Sequence, residues 1–235
     1  MHSGIYHVFM PRKKRITKGG IAYHVFNRAN GKLRIFKKNL DFLAYENILA
    51  EGIERFGMRL CGYCIMSNHW HLLLWPAADN AVQDFMGRTT LTHAKRWHAA
   101  HGTTGIGHLY QGRYKSFPVQ SNSHYLRILR YIEAGPLKAG IAETAADWQW
   151  SSFTHRNDPE SKSAKPFIVS PGPVKISDSW PQIVNRVIPK EETDKIENCI
   201  KRGCPYGEKD WAINIAEQLS LESTMTRKGR PIKYK

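Results

Sequence analysis

Arg59-Leu60-Cys61-Gly62-Tyr63-Cys64-Ile65-Met66-Ser67-Asn68-His69-Trp70-His71-Leu72-Leu73-Leu74-Trp75 is the stretch that decides the fold. Two apolar runs flank Ser67-Asn68, a pair suited to a tight turn. The segment therefore reads as an antiparallel hairpin, with Arg59 to Met66 as one strand and the His-Trp-His run as its return. In a strand, residues two apart share a face. His69 and His71 then leave one side together, while Trp70 and Leu72 point to the other. Two adjacent imidazoles on a half-buried surface suit one divalent metal ion.

The rest of the chain can be read outward from that hairpin. Ile21 to Arg28 is an earlier strand that follows a basic arm. Phe42, Tyr45, Ile48, Leu49 and Ile53 recur at helical spacing, so a helix is expected from Asp41 to Arg55. Asn80 caps a helix running to about His101, with Val82, Phe85, Met86, Ala94 and Trp97 inward and Arg88, His93, Lys95 and Arg96 on the other face. A glycine-rich break covers 102–107. Ser116 to Gln120 reads as a further strand, and Ser123 caps a helix ending at Gly135-Pro136. The β-α-β-β-α-β rhythm predicts an α+β domain, a ferredoxin-like antiparallel sheet with helices on one face. Polar residues and prolines take over near Arg156. The expected division is a first domain at 1–155 and a basic, mainly helical or irregular C-terminal extension at 156–235, with a short helix from Trp211 to Leu219.

The 235 residues carry a formal net charge of +15. Such an excess speaks of partners rather than of fold, and nucleic acid is the first candidate. No long apolar stretch or basic amphipathic anchor points to a membrane partner, and the basic start lacks the apolar core of a signal peptide. Four cysteines without a dense framework fit a reducing cytoplasm.

Several chemistries compete for the histidine pair. Two ordinary surface or core histidines are the bland reading. A zinc site would add Cys61 and Cys64, which have Cys-x-x-Cys spacing, but residues three apart in a strand face opposite sides. A histidine-triad hydrolase would need a third His where Leu73 stands. A metal-assisted nuclease would polarise a phosphate at the pair and take its nucleophile from elsewhere. Tyr131 is the candidate, since on a helical wheel it falls outside the stripe of Tyr125, Ile128, Leu129 and Ile132, beside Arg127. A phenol with a pKa near ~10 needs a base or a positive field to attack at neutral pH.

Met66-Ser67-Asn68-His69-Trp70-His71-Leu72, then Tyr110-Gln111-Gly112-Arg113, then Tyr131-Ile132-Glu133 with Ala139-Gly140, resembles the single-tyrosine HUH transposases. Among these it is most similar to the REP-associated tyrosine transposases. The likeness covers roughly Pro11 to Phe153, including Tyr23-His24-Val25-Phe26-Asn27-Arg28. It implies a bacterial, nucleoid-associated enzyme that cleaves and rejoins single-stranded DNA bearing REP-like hairpins, as a monomer or homodimer. It further implies that His69 and His71 bind Mg²⁺ or Mn²⁺ and that Tyr131 attacks the phosphate to give a 5′-phosphotyrosine.

The expected DNA contacts are Arg12, Lys13, Lys14 and Arg15 of the arm, Asn27, Arg28, Lys95, Arg96, Arg113, Lys115 and Arg127. The tail's Gly229-Arg230-Pro231 resembles a minor-groove hook. One departure stands out: relatives often carry Asn or Gln one turn after the tyrosine to complete the metal site, and here that residue is Gly135. Either water fills that place, or a group such as Glu133 reaches in, or metal affinity is reduced. Two alternatives follow, a non-catalytic DNA-binding protein on the same scaffold and a zinc-stabilised nucleic-acid-binding protein.

Overall fold

The hairpin forms as its sequence dictates: β2 (Arg59–Met66) and β3 (His69–Trp75) run antiparallel, with Cys64 opposite His71 and Met66 opposite His69. In this computed structural model, which describes residues 15–158, 160 and 165–226, β1 (Ala22–Arg28) lies along the other edge of β3. It places Phe26 opposite His71 and Arg28 opposite His69. β4 (Lys115–Val119) then pairs antiparallel with β1, and the order is β2-β3-β1-β4. The crossovers are α1 (Asn39–Phe56) and α2 (Ala81–Ala100), so the β-α-β-β-α-β rhythm and the α+β class are as expected. Among the described residues no helix is long and apolar enough to cross a membrane.

Strand alternation divides the core in two. Val25, Trp70, Leu72 and Leu74 pack against Phe42, Tyr45, Leu49 and Phe85 of α1 and α2. Leu73, Phe117 and Val119 face the other way, under Tyr125, Ile128, Leu129 and Ile132 of α3 (Ser123–Glu133). Helices on one face therefore describes α1 and α2 only. The second face is apolar as well, and it draws α3 and the C-terminal helices α6 (Trp180–Val184) and α7 (Lys190–Arg202) over it through Trp180, Val184, Ile196 and Cys199. Two short helices, α4 (Gly135–Lys138) and α5 (Ser152–Asn157), lie between, while α8 (Lys209–Gln218) and α9 (Glu222–Met225) end the described chain.

Local details correct the sequence reading. The cap of α3 is Asn122, whose Oδ1 accepts from the His124 amide at 2.9 Å, one residue before Ser123. Asn80 precedes α2 with a φ of 62°, and its carboxamide accepts from the Gln83 side chain at 3.0 Å instead of capping the backbone. His93 points inward, because its ring has a slot between Phe36, stacked at 5.3 Å, and Tyr110. The Tyr110 hydroxyl takes the Trp70 indole N–H at 2.9 Å and sits 2.6 Å from His93 Nδ1. Cys61 and Cys64 share one face after all, since a bulge between Leu60 and Gly62 shifts the register. At Gly62 a Cβ would meet Leu129 Cδ1 at 2.5 Å, so a larger residue there would make the Leu129 side chain of α3 move.

Candidate functional site

His69 and His71 project from β3 onto the α3 face with ring centroids 5.3 Å apart and planes nearly perpendicular. His69 Nδ1 lies 2.6 Å from Asn68 Oδ1. An amide oxygen only accepts, so Nδ1 carries the proton and Nε2 keeps its lone pair. His71 Nδ1 lies 2.9 Å from Nε2 of His24, a third histidine supplied by β1. His24 is buried, and its Nδ1 has no hydrogen-bond partner among the described residues. Burial pushes His24 down to about 3, and burial followed by the Arg28 charge brings His69 to about 4. His71 falls well below the ordinary 6.5 through burial, then through the crowding of the His24 and His69 rings and the Arg28 and Lys138 charges. At neutral pH all three rings are uncharged, the state a metal ligand requires.

Tyr131 occupies the last turn of α3. Its ring stands edge-on to His71 at 5.8 Å and to His24 at 6.5 Å. Beyond it, Lys138 of α4 holds its ammonium 5.0 Å from the ring centroid and pairs with Glu197 of α7. Burial, then the Glu197 charge, pushes the phenol up to about 12, and Arg28 acts against them. One cavity of about 420 Å³ gathers His69, His71 and Tyr131 with four cations, Arg28, Lys115, Lys138 and Lys201, and one carboxylate, Glu197. A small, positively charged cleft of this kind suits a phosphate.

Gly135 leaves space where a further donor is expected, since a Cβ there would have Cys64 Sγ as its nearest neighbour at 3.9 Å. Among the described residues no group of three or more His, Cys, Asp or Glu side chains is arranged to hold a metal ion. The zinc reading loses its support, even though the bulge brings Cys61 and Cys64 to one face. The two imidazoles fit a divalent ion only as an open site, in which substrate and water oxygens fill the remaining positions.

The other expected residues scatter. Glu133 does not reach the histidines. It is fully buried, accepts from Ser152 Oγ at 2.6 Å and Trp180 Nε1 at 2.7 Å, and pairs with Arg156. Tyr131 belongs to the core edge rather than outside it, because α3 lies close enough for its ring to pack on His71. Its cation is Lys138, whereas the charge of exposed Arg127 falls on Tyr206 and His124. Asn27 is buried and its side-chain amide donates to Gly112 O at 3.3 Å, so it holds a loop. Lys95 and Arg96 lie on α2, which covers the opposite face, and Arg96 is engaged by Glu51 at 2.6 and 3.0 Å. Arg113 is exposed on the loop before β4, and Arg15 sits over the Tyr114 ring at 4.4 Å. Arg12, Lys13, Lys14 and the Gly229-Arg230-Pro231 hook lie outside the described residues.

His24, Lys138, Glu197 and Lys201 escaped the sequence reading. His24 was findable, since strand alternation puts it on the face opposite Tyr23 and Val25. Lys138 stands seven residues after Tyr131, along the continued helical path. Glu197 had no local signal.

Residues 17–135 match the model of the family described as IS200-like transposases. Among solved structures, the chain is similar to the REP-associated tyrosine transposase bound to a REP hairpin. The identity is 16%, with 72% of this chain and 95% of that chain covered and a TM-score of 0.51, which is a likeness of fold. A candidate transposase of Deinococcus radiodurans R1 is 20% identical over 57% of this chain and 96% of that chain, with a TM-score of 0.37. A comparison with curated proteins finds no match.

Proposed function

The chain belongs to the IS200-like transposase family, and on that premise we propose that it cleaves and rejoins hairpin-bearing single-stranded DNA with Tyr131 as the nucleophile. The observation that carries this reading is the Tyr131 ring, 5.8 Å from that of His71 in a single cationic cavity. Mg²⁺ or Mn²⁺ held by His69 and His71 would polarise the scissile phosphate as a Lewis acid.

The chain's own residues supply the rest. Asn68 fixes His69 with its Nε2 lone pair free. When His71 Nδ1–H donates to His24 Nε2, His71 likewise keeps its Nε2 lone pair for the site, so His24 is a positioning residue. Arg28, Lys115 and Lys138 offset the phosphate charge, and Arg28 also favours the phenolate. Attack by the Tyr131 oxygen forms a 5′-phosphotyrosine and releases a 3′-OH. A second 3′-OH reverses the exchange, and the phosphoester is conserved throughout. Tyr131 meets histidines of its own chain, which supports action in cis.

Affinity for the strand is supported by a second cavity of about 470 Å³, which shares Lys115 and Lys201 with the first and adds Arg15 and Arg202. The preference for hairpins draws on the likeness to a structure that holds one.

The test is incubation with labelled single-stranded hairpin DNA and Mn²⁺, followed by denaturing electrophoresis. A covalent adduct is expected, and it should vanish in Tyr131→Phe. An adduct that persists in that variant would refute the nucleophile. Gly135, with no donor to complete the metal site, favours a second reading as a DNA-binding protein without cleavage. Tight hairpin binding with no adduct at any Mn²⁺ concentration would establish it.

A further inference from the structure

Two thiols meet where the C-terminal extension docks on the sheet. Cys199 lies in the last turn of α7, and Gly203, with a φ of 79°, turns the chain so that Cys204 comes back against it. The sulfurs are 3.3 Å apart with an S–H between them, and both cysteines are free. A disulfide bond of about 2.05 Å needs them only roughly 1 Å closer. Cys204 is 7% exposed and Cys199 6%, openings that suit a small neutral oxidant.

The setting favours reaction at one sulfur. The paired sulfur draws the Cys204 thiol down while Cys199 is pushed up, and the Asn198 side-chain N–H, 4.0 Å from Cys204 Sγ, and the Arg202 charge also favour a thiolate at Cys204. At Cys61 burial outweighs the Tyr125 hydroxyl and the Arg59 and Arg156 charges and pushes the thiol up to about 11, and Cys64 is pushed higher still. The thiolate is the nucleophile, so Cys204 is the reactive sulfur and Cys199 the one placed to resolve it.

The position matters as well. Two residues on, the Tyr206 amide donates to Pro118 O at 2.9 Å and the Gln120 amide donates to Tyr206 O at 3.0 Å. These bonds tie the segment alongside β4. α7 sends Glu197, Ile200 and Lys201 into the wall of the His69–His71–Tyr131 cavity. A bond between Cys199 and Cys204 would fasten the end of that wall to the segment docked on β4.

We propose that Cys199 and Cys204 are a modification site, a thiol pair that hydrogen peroxide converts reversibly into an intrachain disulfide. The Cys204 thiolate attacks one peroxide oxygen, the O–O bond breaks, and hydroxide leaves to be protonated to water, giving a sulfenic acid. The Cys199 sulfur then attacks that sulfur. The S–S bond forms, the S–OH bond breaks, and the departing oxygen takes the Cys199 proton and leaves as water. Two thiols lose two electrons to one peroxide, and a dithiol reductant restores them.

The test uses the full reduced chain treated with hydrogen peroxide at neutral pH, quenched by alkylation and mapped after trypsin. The peptides Ile196–Lys201 and Gly203–Lys209 should appear joined, at the mass of their sum less two hydrogens, and should separate on reduction. Loss of free thiol at this pair should outpace that at Cys61 and Cys64 about a hundredfold or more. Cys199→Ser and Cys204→Ser should each abolish the joined peptides, and Cys61→Ser should leave them. Full alkylation of both cysteines after peroxide, or sulfinic acid at Cys204 with Cys199 still free, would overturn the proposal. The readout is independent of cleavage, so it stands or falls separately from the role of Tyr131.

Discussion

Replacing His24 with Leu should separate stability from metal binding. The substitution removes the partner of His71 Nδ1, 2.9 Å away, and leaves that N–H buried and unpaired, at about 1–3 kcal/mol. It also removes His24 Nδ1, a buried nitrogen that already lacks a partner and carries a penalty of the same size. The two effects nearly cancel, and the leucine side chain faces Phe117, whose ring lies 4.9 Å from that of His24. Net destabilisation should stay within about 1 kcal/mol, a melting shift of roughly 2–4 °C for a chain of this size. Metal affinity should suffer far more. An unsupported His71 ring rotates and exchanges tautomers, and loss of such an outer partner typically weakens binding about 10–100-fold. Titration of Mn²⁺ into the protein, with the free ion followed by electron paramagnetic resonance, measures the affinity, and a thermal melt measures the stability. Mn²⁺ affinity within twofold of the unaltered chain would refute the positioning role. A melting point lower by ten degrees or more would refute the cancellation.

Gly135→Asn, which brings a donor into space with no contact closer than 3.9 Å, should tighten Mn²⁺ binding at least about tenfold without lowering the melting point. Unchanged affinity would mean that the side chain does not reach the histidine site. Arg156→Ala strands the fully buried Glu133 carboxylate and should cost about 3–5 kcal/mol in urea unfolding; a loss under 1 kcal/mol would show that Ser152 and Trp180 suffice. Stability should also fall on acidification. His24 and His93, both held near 3, and His69, near 4, stay neutral in the folded chain while the unfolded chain takes up protons below about 6.5. The contribution is fully present above that pH and is lost as pH falls toward 4 for His69 and toward 3 for His24 and His93, at up to about 1.4 kcal/mol per unit for each buried ring. Equal urea midpoints at pH 7 and pH 5 would contradict it.

Period and punctuation made the hairpin and the crossover helices legible. Ser67-Asn68 between two apolar runs placed both strands, and Phe42, Tyr45 and Leu49 placed α1. Alternation also predicted that His69 and His71 share a face. What alternation does not reveal is which neighbour supports the pair, because the antiparallel pairing of β1 with β3 that brings His24 to His71 is a tertiary choice. The same limit hid His93, whose slot depends on Tyr110 from beyond the glycine-rich break. It misled for Cys61 and Cys64, where one extra residue in β2 changed the face. Charge was the least informative signal. Arg96 and Lys115 look alike in sequence, yet one is spent on Glu51 and the other lines the cavity.

Glu133 makes the tyrosine helix and the extension a single inheritance. Its carboxylate lies two residues from Tyr131, and its partners Ser152, Arg156 and Trp180 all lie beyond the residues that the family match reaches, the last two in the C-terminal segment. A descendant that shed that segment would bare one side of this carboxylate and disturb the nucleophile's own helix from behind. The extension is thus not free to drift or be exchanged like an appended module, and changes on one side of this contact should be answered on the other.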